Sequence, residues 1–250
     1  MANKKIKDKN IFQVHGYNNC LPLLINTKFE ITRINILDQK REFFTNKFNF
    51  KKYSHCLRLL SKNVFYNKYD NIRSQGIVVQ FKGPITKNIA SYKAVNSNSC
   101  LLILDNIEDP QNVGQIIRTA ECAGINGIVF PSHNSFKISN TLINISQGAF
   151  LNMPFYEVTN ISTTILDLKK NDHWVIGIEN GIKAKIWSKV HYAGHIAIVV
   201  GGEGKGIRKK VIEHCDFLGS IPMQGDVNSL NVSAAVSAIL FERLRQIKFK

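Results

Sequence analysis

LLILDNIEDPQNVGQIIRTAECAGINGIVF, residues 101 to 130, opens on four consecutive apolar residues and turns through acidic and polar positions. It resumes with Val113, Ile116, Ile117 and Ala120 at helical spacing, then closes on a second apolar run, GIVF. A short apolar run, a periodic helix and another apolar run spell strand, helix, strand. Further runs follow at WVIGI, 174 to 178, and HIAIVV, 195 to 200, each separated by a plausible helix. Apolar strands flanked by helices predict an α/β fold with a mostly parallel sheet covered on both faces. An amphipathic helix from about Asn231, with Val232, Val236, Ile239, Leu240 and Leu244 on one stripe, closes the chain.

Ahead of this lies a smaller unit. An apolar stretch at Cys20 to Ile25, a strand-like ITRINIL at 31 to 37 and IVVQF at 77 to 81 predict a compact α/β domain over residues 1–83. The segment KGPITKNIASYKAVNSNS, 82 to 99, loses periodicity and is rich in Gly, Pro, Asn and Ser, so residues 84–99 read as a linker and 100–250 as the second domain.

The chain has 250 residues, 44% hydrophobic and 20% charged, enough apolar surface to offset the entropy of ordering a core. Its formal net charge is +15, which excludes an acidic carrier and favours an anionic partner. The excess is lopsided: 18 Lys and Arg stand against 5 Asp and Glu in residues 1 to 95, but 15 against 13 from 96 onward. A polyanion-binding front fits that asymmetry, as does a solvated Lys-rich surface. The aromatics of REFFTNKFNFKKYSH, 41 to 55, suit either stacking on unpaired bases or a place in the core. Five cysteines without a C-x-x-C pair suggest neither a disulfide framework nor a cysteine zinc site. His191 and His195 lack the Glu of H-E-x-x-H, so no metal is expected. MANKKIKDKN has no apolar leader and no run approaches the roughly 18 residues that span a bilayer. A cytoplasmic protein without a membrane partner is the expectation.

In open parallel sheets ligands bind beyond the carboxyl ends of the strands, so polar loops there carry the most information. Three stand out. In DNIEDPQNVGQIIRTAECAG, 105 to 124, a helix bearing Arg118 opens near Pro110, Asn112 and Gly114, with Asn112 readable as a simple helix cap. In VVGGEGKGI, 199 to 207, four glycines surround Glu203 and Lys205; Gly206 is followed by Ile207 and Arg208, which excludes a phosphate-binding P-loop. In SIPMQGDVNSLNVSAAVSAILFE, 220 to 242, an apolar Ile-Pro-Met segment adjoins Ser229-Leu230-Asn231, where Ser229 or Asn231 can cap the last helix.

Together, N-x-G-x-x-x-R-T-A at 112 to 120, G-G-E-G-x-G at 201 to 206 and I-P-M-x-G-x-x-x-S-L-N-V-S at 221 to 233 resemble the three ordered motifs of the SpoU (TrmH-like) family of RNA ribose 2'-O-methyltransferases. VHGYNNCLPLL at 14 to 24 and SQGIVV at 74 to 79 resemble the small ribosomal-protein-like RNA-binding domain of the branch that modifies a guanosine of 23S rRNA, although Ser74 stands where that branch usually has His. The resemblance implies a knotted C-terminal domain, a trefoil of the SPOUT type, and a homodimer with its active site near the subunit interface. It implies S-adenosylmethionine held by Gly201, Ile221 and Leu230, and a catalytic set of Asn112, Arg118, Glu203, Ser229 and Asn231. Family members that act on tRNA share the motifs, so tRNA is the alternative substrate, and a non-catalytic RNA-binding member of the family is the other alternative. Arg118 is regarded in the family as the base, yet a guanidinium is normally charged. Either a phosphate or Glu203 helps it accept the hydroxyl proton, or it acts as a cation that orients phosphate and favours the alkoxide.

Overall fold

The computed structural model describes residues 11–26, 28–181, 184–202 and 204–249. The N-terminal MANKKIKDKN and Glu203 lie outside the described residues. In chain order the elements are β1 (Ile11–His15), α1 (Tyr17–Ile25), β2 (Glu30–Leu37), α2 (Arg41–Thr45), β3 (Leu57–Leu60), α3 (Lys62–Tyr69), β4 (Ile77–Lys82), β5 (Thr86–Lys87), β6 (Cys100–Asp105) and α4 (Pro110–Cys122). There follow β7 (Gly127–Pro131), α5 (Asn140–Ile145), β8 (Phe155–Val158), α6 (Ile161–Lys170), β9 (Trp174–Ile178), β10 (Lys185–Ile186), β11 (Ile196–Gly201), α7 (Lys209–Ile212), β12 (Phe217–Ser220) and α8 (Val232–Lys248).

Two compact units emerge. The first runs to Pro84 and also takes in Ser139–Leu151. Its sheet has the order β1-β4-β2-β3, with β4 antiparallel to β1 and β2. Alternation along β2 and β4 buries Ile34, Ile36, Ile77, Val79 and Phe81 on one face of the sheet, while Leu37 and Val78 on the other pack with Phe65 and Tyr69. The strand β1 is a sheet edge, whose unpaired backbone groups need partners. Two asparagines of α5, one helical turn apart, provide them: Gln13 N donates to Asn140 Oδ1 (2.8 Å), His15 N donates to Asn144 Oδ1 (2.9 Å), and Asn144 Nδ2 donates back to Gln13 O (2.9 Å). Phe150 stacks on Phe81 with ring centroids 5.9 Å apart. Sequence periodicity places residues 139–151 with the C-terminal half; these long-range bonds place them with the front. The aromatics of 41 to 55 divide: Phe44, Phe50 and Tyr53 are core, whereas Phe43 is 48% exposed. Ser74 is a buried turn residue whose Oγ accepts from Gly76 N.

The second unit comprises Ile85–Ile138 and Asn152–Lys250. Its eight strands run in the order β10-β12-β9-β11-β6-β7-β8-β5, every pair parallel. The central strands β6 and β11 are buried on both faces, as their unbroken apolar runs require. Residues 84–99 are not a free linker. Thr86 and Lys87 pair with Phe155 and Tyr156 of β8, and Ile89 and Tyr92 pack on the core. Their polarity reflects local turns, in which Asn88 Oδ1 accepts from Ala90 N and Asn96 Oδ1 from Asn98 N. The expected helix between β9 and β11 is also absent among the described residues. A two-residue strand and a single 3-10 turn, Trp187–Lys189, make that crossing.

Candidate active site

Because the strands are parallel, the loops leaving β6, β9, β11 and β12 emerge at one edge of the sheet. The first motif loop starts at Asp105, fully buried at the end of β6. Its carboxylate accepts from Arg208 N (2.9 Å) and Arg208 Nε (2.8 Å), which pins the exit of the glycine loop to the centre of the sheet. Asp109, rather than Asn112, caps α4: its oxygens accept from Gln111 N and Asn112 N at 3.1 Å each, with Pro110 in the first turn, where its missing N–H costs nothing. Asn112 is thereby released for another task.

That task lies on α8. Asn231 caps this helix, its Oδ1 accepting from Ser233 N (2.9 Å), while its Nδ2 donates to Asn112 Oδ1 (2.8 Å). The pairing continues along the seam of the two helices, where Ser233 Oγ lies 3.0 Å from Gln115 Oε1 and Thr119 Oγ1 lies 3.3 Å from Ser237 Oγ. Apolar Val113, Ile116 and Ile117 of α4 and Val236, Ile239 and Leu240 of α8 are buried. The asparagine pair therefore sets the register of the first and third motif loops.

Between the β9, β11 and β12 loops lies a cavity of about 370 Å³, lined by Glu179, Gly201, Gly206, Ile221, Ser229 and Leu230 among others. All three expected cofactor residues are there, together with Ser229. Met223 also lines it, so Ile221 and Met223 of the Ile-Pro-Met segment face the space. The glycine loop is folded back on itself: Gly202 N donates to Asp105 O, and Gly206 N donates to Gly202 O, both at 3.0 Å. A Cβ on Gly202 would overlap the Asn106 carbonyl, so this turn admits glycine alone.

Arg118 does not line the cavity. It is exposed on α4, six residues beyond Asn112 or about 9 Å of helical rise, and has no hydrogen-bond or acidic partner among the described residues. Sequence reasoning missed Glu179. It follows β9 directly, and its Oε2 accepts from Ile207 N at 2.8 Å. Its signal was faint, a single carboxylate after an apolar strand.

A cavity of this volume falls in the range of roughly 300–1,000 Å³ usual for small-molecule sites. Backbone groups at two glycines and an apolar slot suit a flat base with a polar tail, so the residues present fit a nucleoside-type cofactor. Residues 99–241 match the SpoU rRNA Methylase family. A protein named putative TrmH family tRNA/rRNA methyltransferase from Staphylococcus saprophyticus is 39% identical over 158 residues, 63% of either chain, so this chain spans under two thirds of that relative. The 23S rRNA (guanosine-2'-O-)-methyltransferase RlmB of Shewanella oneidensis is 35% identical over 78% of this chain and 80% of its own length. Among solved structures, an AdoMet-bound rRNA methyltransferase from Sinorhizobium meliloti superposes with a TM-score of 0.79 at 18% identity, covering 96% of this chain and 89% of that one, a likeness of fold. With its motif loops assembled at one sheet edge and more than half its length matched, the chain belongs to the SpoU rRNA methylase family.

Proposed function

We propose that this protein transfers a methyl group from S-adenosylmethionine to a ribose 2'-hydroxyl of RNA, a guanosine of 23S rRNA in the first instance, in the cytoplasm. The observation that carries the reading is the cavity in which Gly201 of the glycine loop meets Ile221, Ser229 and Leu230 of the loop between β12 and α8. S-adenosylmethionine supplies a methyl group already activated by its sulfonium, so the protein's work is positioning and proton management. Gly201 and Leu230 would hold the cofactor through backbone groups, and Ile221 would line its base. Asn112 and Asn231 act as positioning residues through their mutual bond, Ser229 faces the bound substrate, and Glu203 belongs to the same catalytic set.

Arg118 acts as a cation that orients an RNA phosphate and favours the 2'-alkoxide. Its exposure, and its absence from the cavity lining of its own chain, support a homodimer in which it serves the cavity of a second copy. The exposed apolar side chains of Leu230 (43%) and Phe241 (49%) suit such an interface. The C-terminal unit is taken as a trefoil knot, and the basic first unit as the RNA-binding domain. Two measurements test the reading: calorimetry with S-adenosylmethionine, then transfer of labelled methyl to unmodified 23S rRNA and to tRNA. Saturable cofactor binding with labelling of a single rRNA guanosine is the expected outcome. Labelling of tRNA alone would reassign the substrate, and no labelling of either would remove the catalytic role.

A further inference from the structure

We infer that Glu179 holds the ribose diol of the cofactor, an assignment that rests on the S-adenosylmethionine reading above. The argument begins with strand order. The glycine loop leaves β11, and Glu179 leaves β9, its immediate parallel neighbour, with Val200 in register with Ile178. Dinucleotide-binding sheets divide labour in this way: a glycine turn after one strand lets the ligand approach the backbone, and a carboxylate at the end of the adjacent strand accepts from ribose hydroxyls. Here the same division recurs on a different pair of strands, late in the chain.

The side chain is held for that role. Its Oε2 accepts from Ile207 N at 2.8 Å, which orients the carboxylate, while Oε1 has no partner among the described residues. Gly206, at φ +62°, leaves room for this approach, since a Cβ there would meet both carboxylate oxygens. Glu179 is also the only charged side chain among the described residues that line the cavity. An ionised carboxylate is acceptor-only, so an oriented oxygen facing a nucleoside site asks for O–H or N–H donors, and a vicinal diol presents two.

Calorimetry of the full-length protein and its Glu179→Gln variant separates this role from alternatives. The probes are S-adenosylhomocysteine, its 2'-deoxy and 3'-deoxy counterparts, and S-adenosylmethionine. Gln retains a carbonyl that can accept from Ile207 N, so thermal melting of the unliganded variant should be unchanged. The variant is expected to bind S-adenosylhomocysteine about 10- to 100-fold more weakly, the worth of a charge-assisted hydrogen bond, and to lose much less for the deoxy probes. Equal losses on all probes would mean that Glu179 acts only through the glycine loop and would overturn the assignment, as would unchanged affinities. Loss confined to S-adenosylmethionine would assign the carboxylate to the sulfonium charge and overturn it too. A wild-type protein that bound none of the probes would instead sink the cofactor reading itself.

Discussion

In the first unit the functional candidates stand outside; in the second they face inward. Tyr17 and Phe43 present rings 6.2 Å apart, with Lys47 Nζ 5.7 Å and 5.3 Å from their centroids and Lys40 Nζ 5.8 Å from Phe43. Phe43 and the lysines are exposed, the arrangement of a surface that stacks bases and neutralises phosphate without a pocket. In the second unit the polar residues are drawn into a helix seam and a cavity whose described lining carries one charge. Affinity for a polyanion needs many exposed cations, whereas positioning a reaction needs a few immobilised dipoles. Substitutions in the two units should therefore separate RNA affinity from cofactor affinity.

The largest effect is expected at the residue that crosses this division, an exposed cation in the inward-facing unit. Arg118→Ala should lower methyl transfer by about 10³-fold or more, the scale set by removing a group that stabilises developing negative charge. Cofactor affinity by calorimetry should be nearly unchanged, because Arg118 lies outside the cavity lining. Transfer at the wild-type rate would remove Arg118 from the chemistry. Mixing Arg118→Ala with a cavity variant adds a check on the second copy: activity regained in the mixed dimer is the expected result.

A smaller effect follows from packing. Gly202→Ala must push its methyl into the Asn106 carbonyl, and the glycine turn would have to open. Strain of about 1–3 kcal/mol corresponds to a 5- to 150-fold loss of cofactor affinity if the turn builds the site. RNA affinity measured without cofactor should not change. A variant with wild-type cofactor binding would show that the loop does not bear on the site.

The α/β class and the runs at 101–104, 127–130, 174–178 and 195–200, the last observed as Ile196–Gly201, were legible because buried strands read as unbroken apolar runs. Strands β8 and β12, with four residues each, were too short and mixed to register. The transfer of residues 139–151 to the first unit was invisible because Asn140 and Asn144 look like ordinary surface polarity until they meet the edge of β1. At the site, the cavity residues Gly201, Ile221, Ser229 and Leu230 were readable from motif order. The role of Asn112 was not, since its local signal is that of a cap and only the fold shows Asp109 holding that place. Glu179 gave only a lone carboxylate after an apolar strand, because its meaning comes from adjacency of β9 to β11.

On the outward-facing side, Phe43→Ala should weaken binding of single-stranded rRNA fragments by about tenfold, within the roughly 1–3 kcal/mol assigned to one base–aromatic stack. Lys40→Gln and Lys47→Gln should each reduce the slope of log affinity against log salt by about 0.7–0.9 if each meets a phosphate. Point substitutions are the right instrument here. A cut at residue 95 would strip β5 from β8 and leave Phe150 without Phe81. Unchanged slopes would turn the basic front into a merely solvated surface.

The smallest effect concerns acid, and it treats the two units alike. Each holds a histidine whose pKa is lowered, first by burial: His15 in the first unit, where a bond to the Arg73 backbone opposes the shift, and His173 in the second, where the Asn171 backbone opposes it and His195 adds to it. His173 sits 3.4 Å from Tyr92 Oη and 2.7 Å from Asn171 O, with the His195 ring 5.5 Å away. In both cases the folded protein binds the proton less readily than the unfolded chain. Stability is therefore full above the ordinary value of 6.5 and declines as pH falls below it toward the depressed folded values. The slope cannot exceed about 1.4 kcal/mol per pH unit for each histidine. Melting temperature followed from pH 7.5 to 5 should fall, and His173→Asn should remove part of that fall, leaving the part due to His15. A melting temperature independent of pH across this window, or one that rises toward acid, would mean that neither histidine is held neutral by its surroundings.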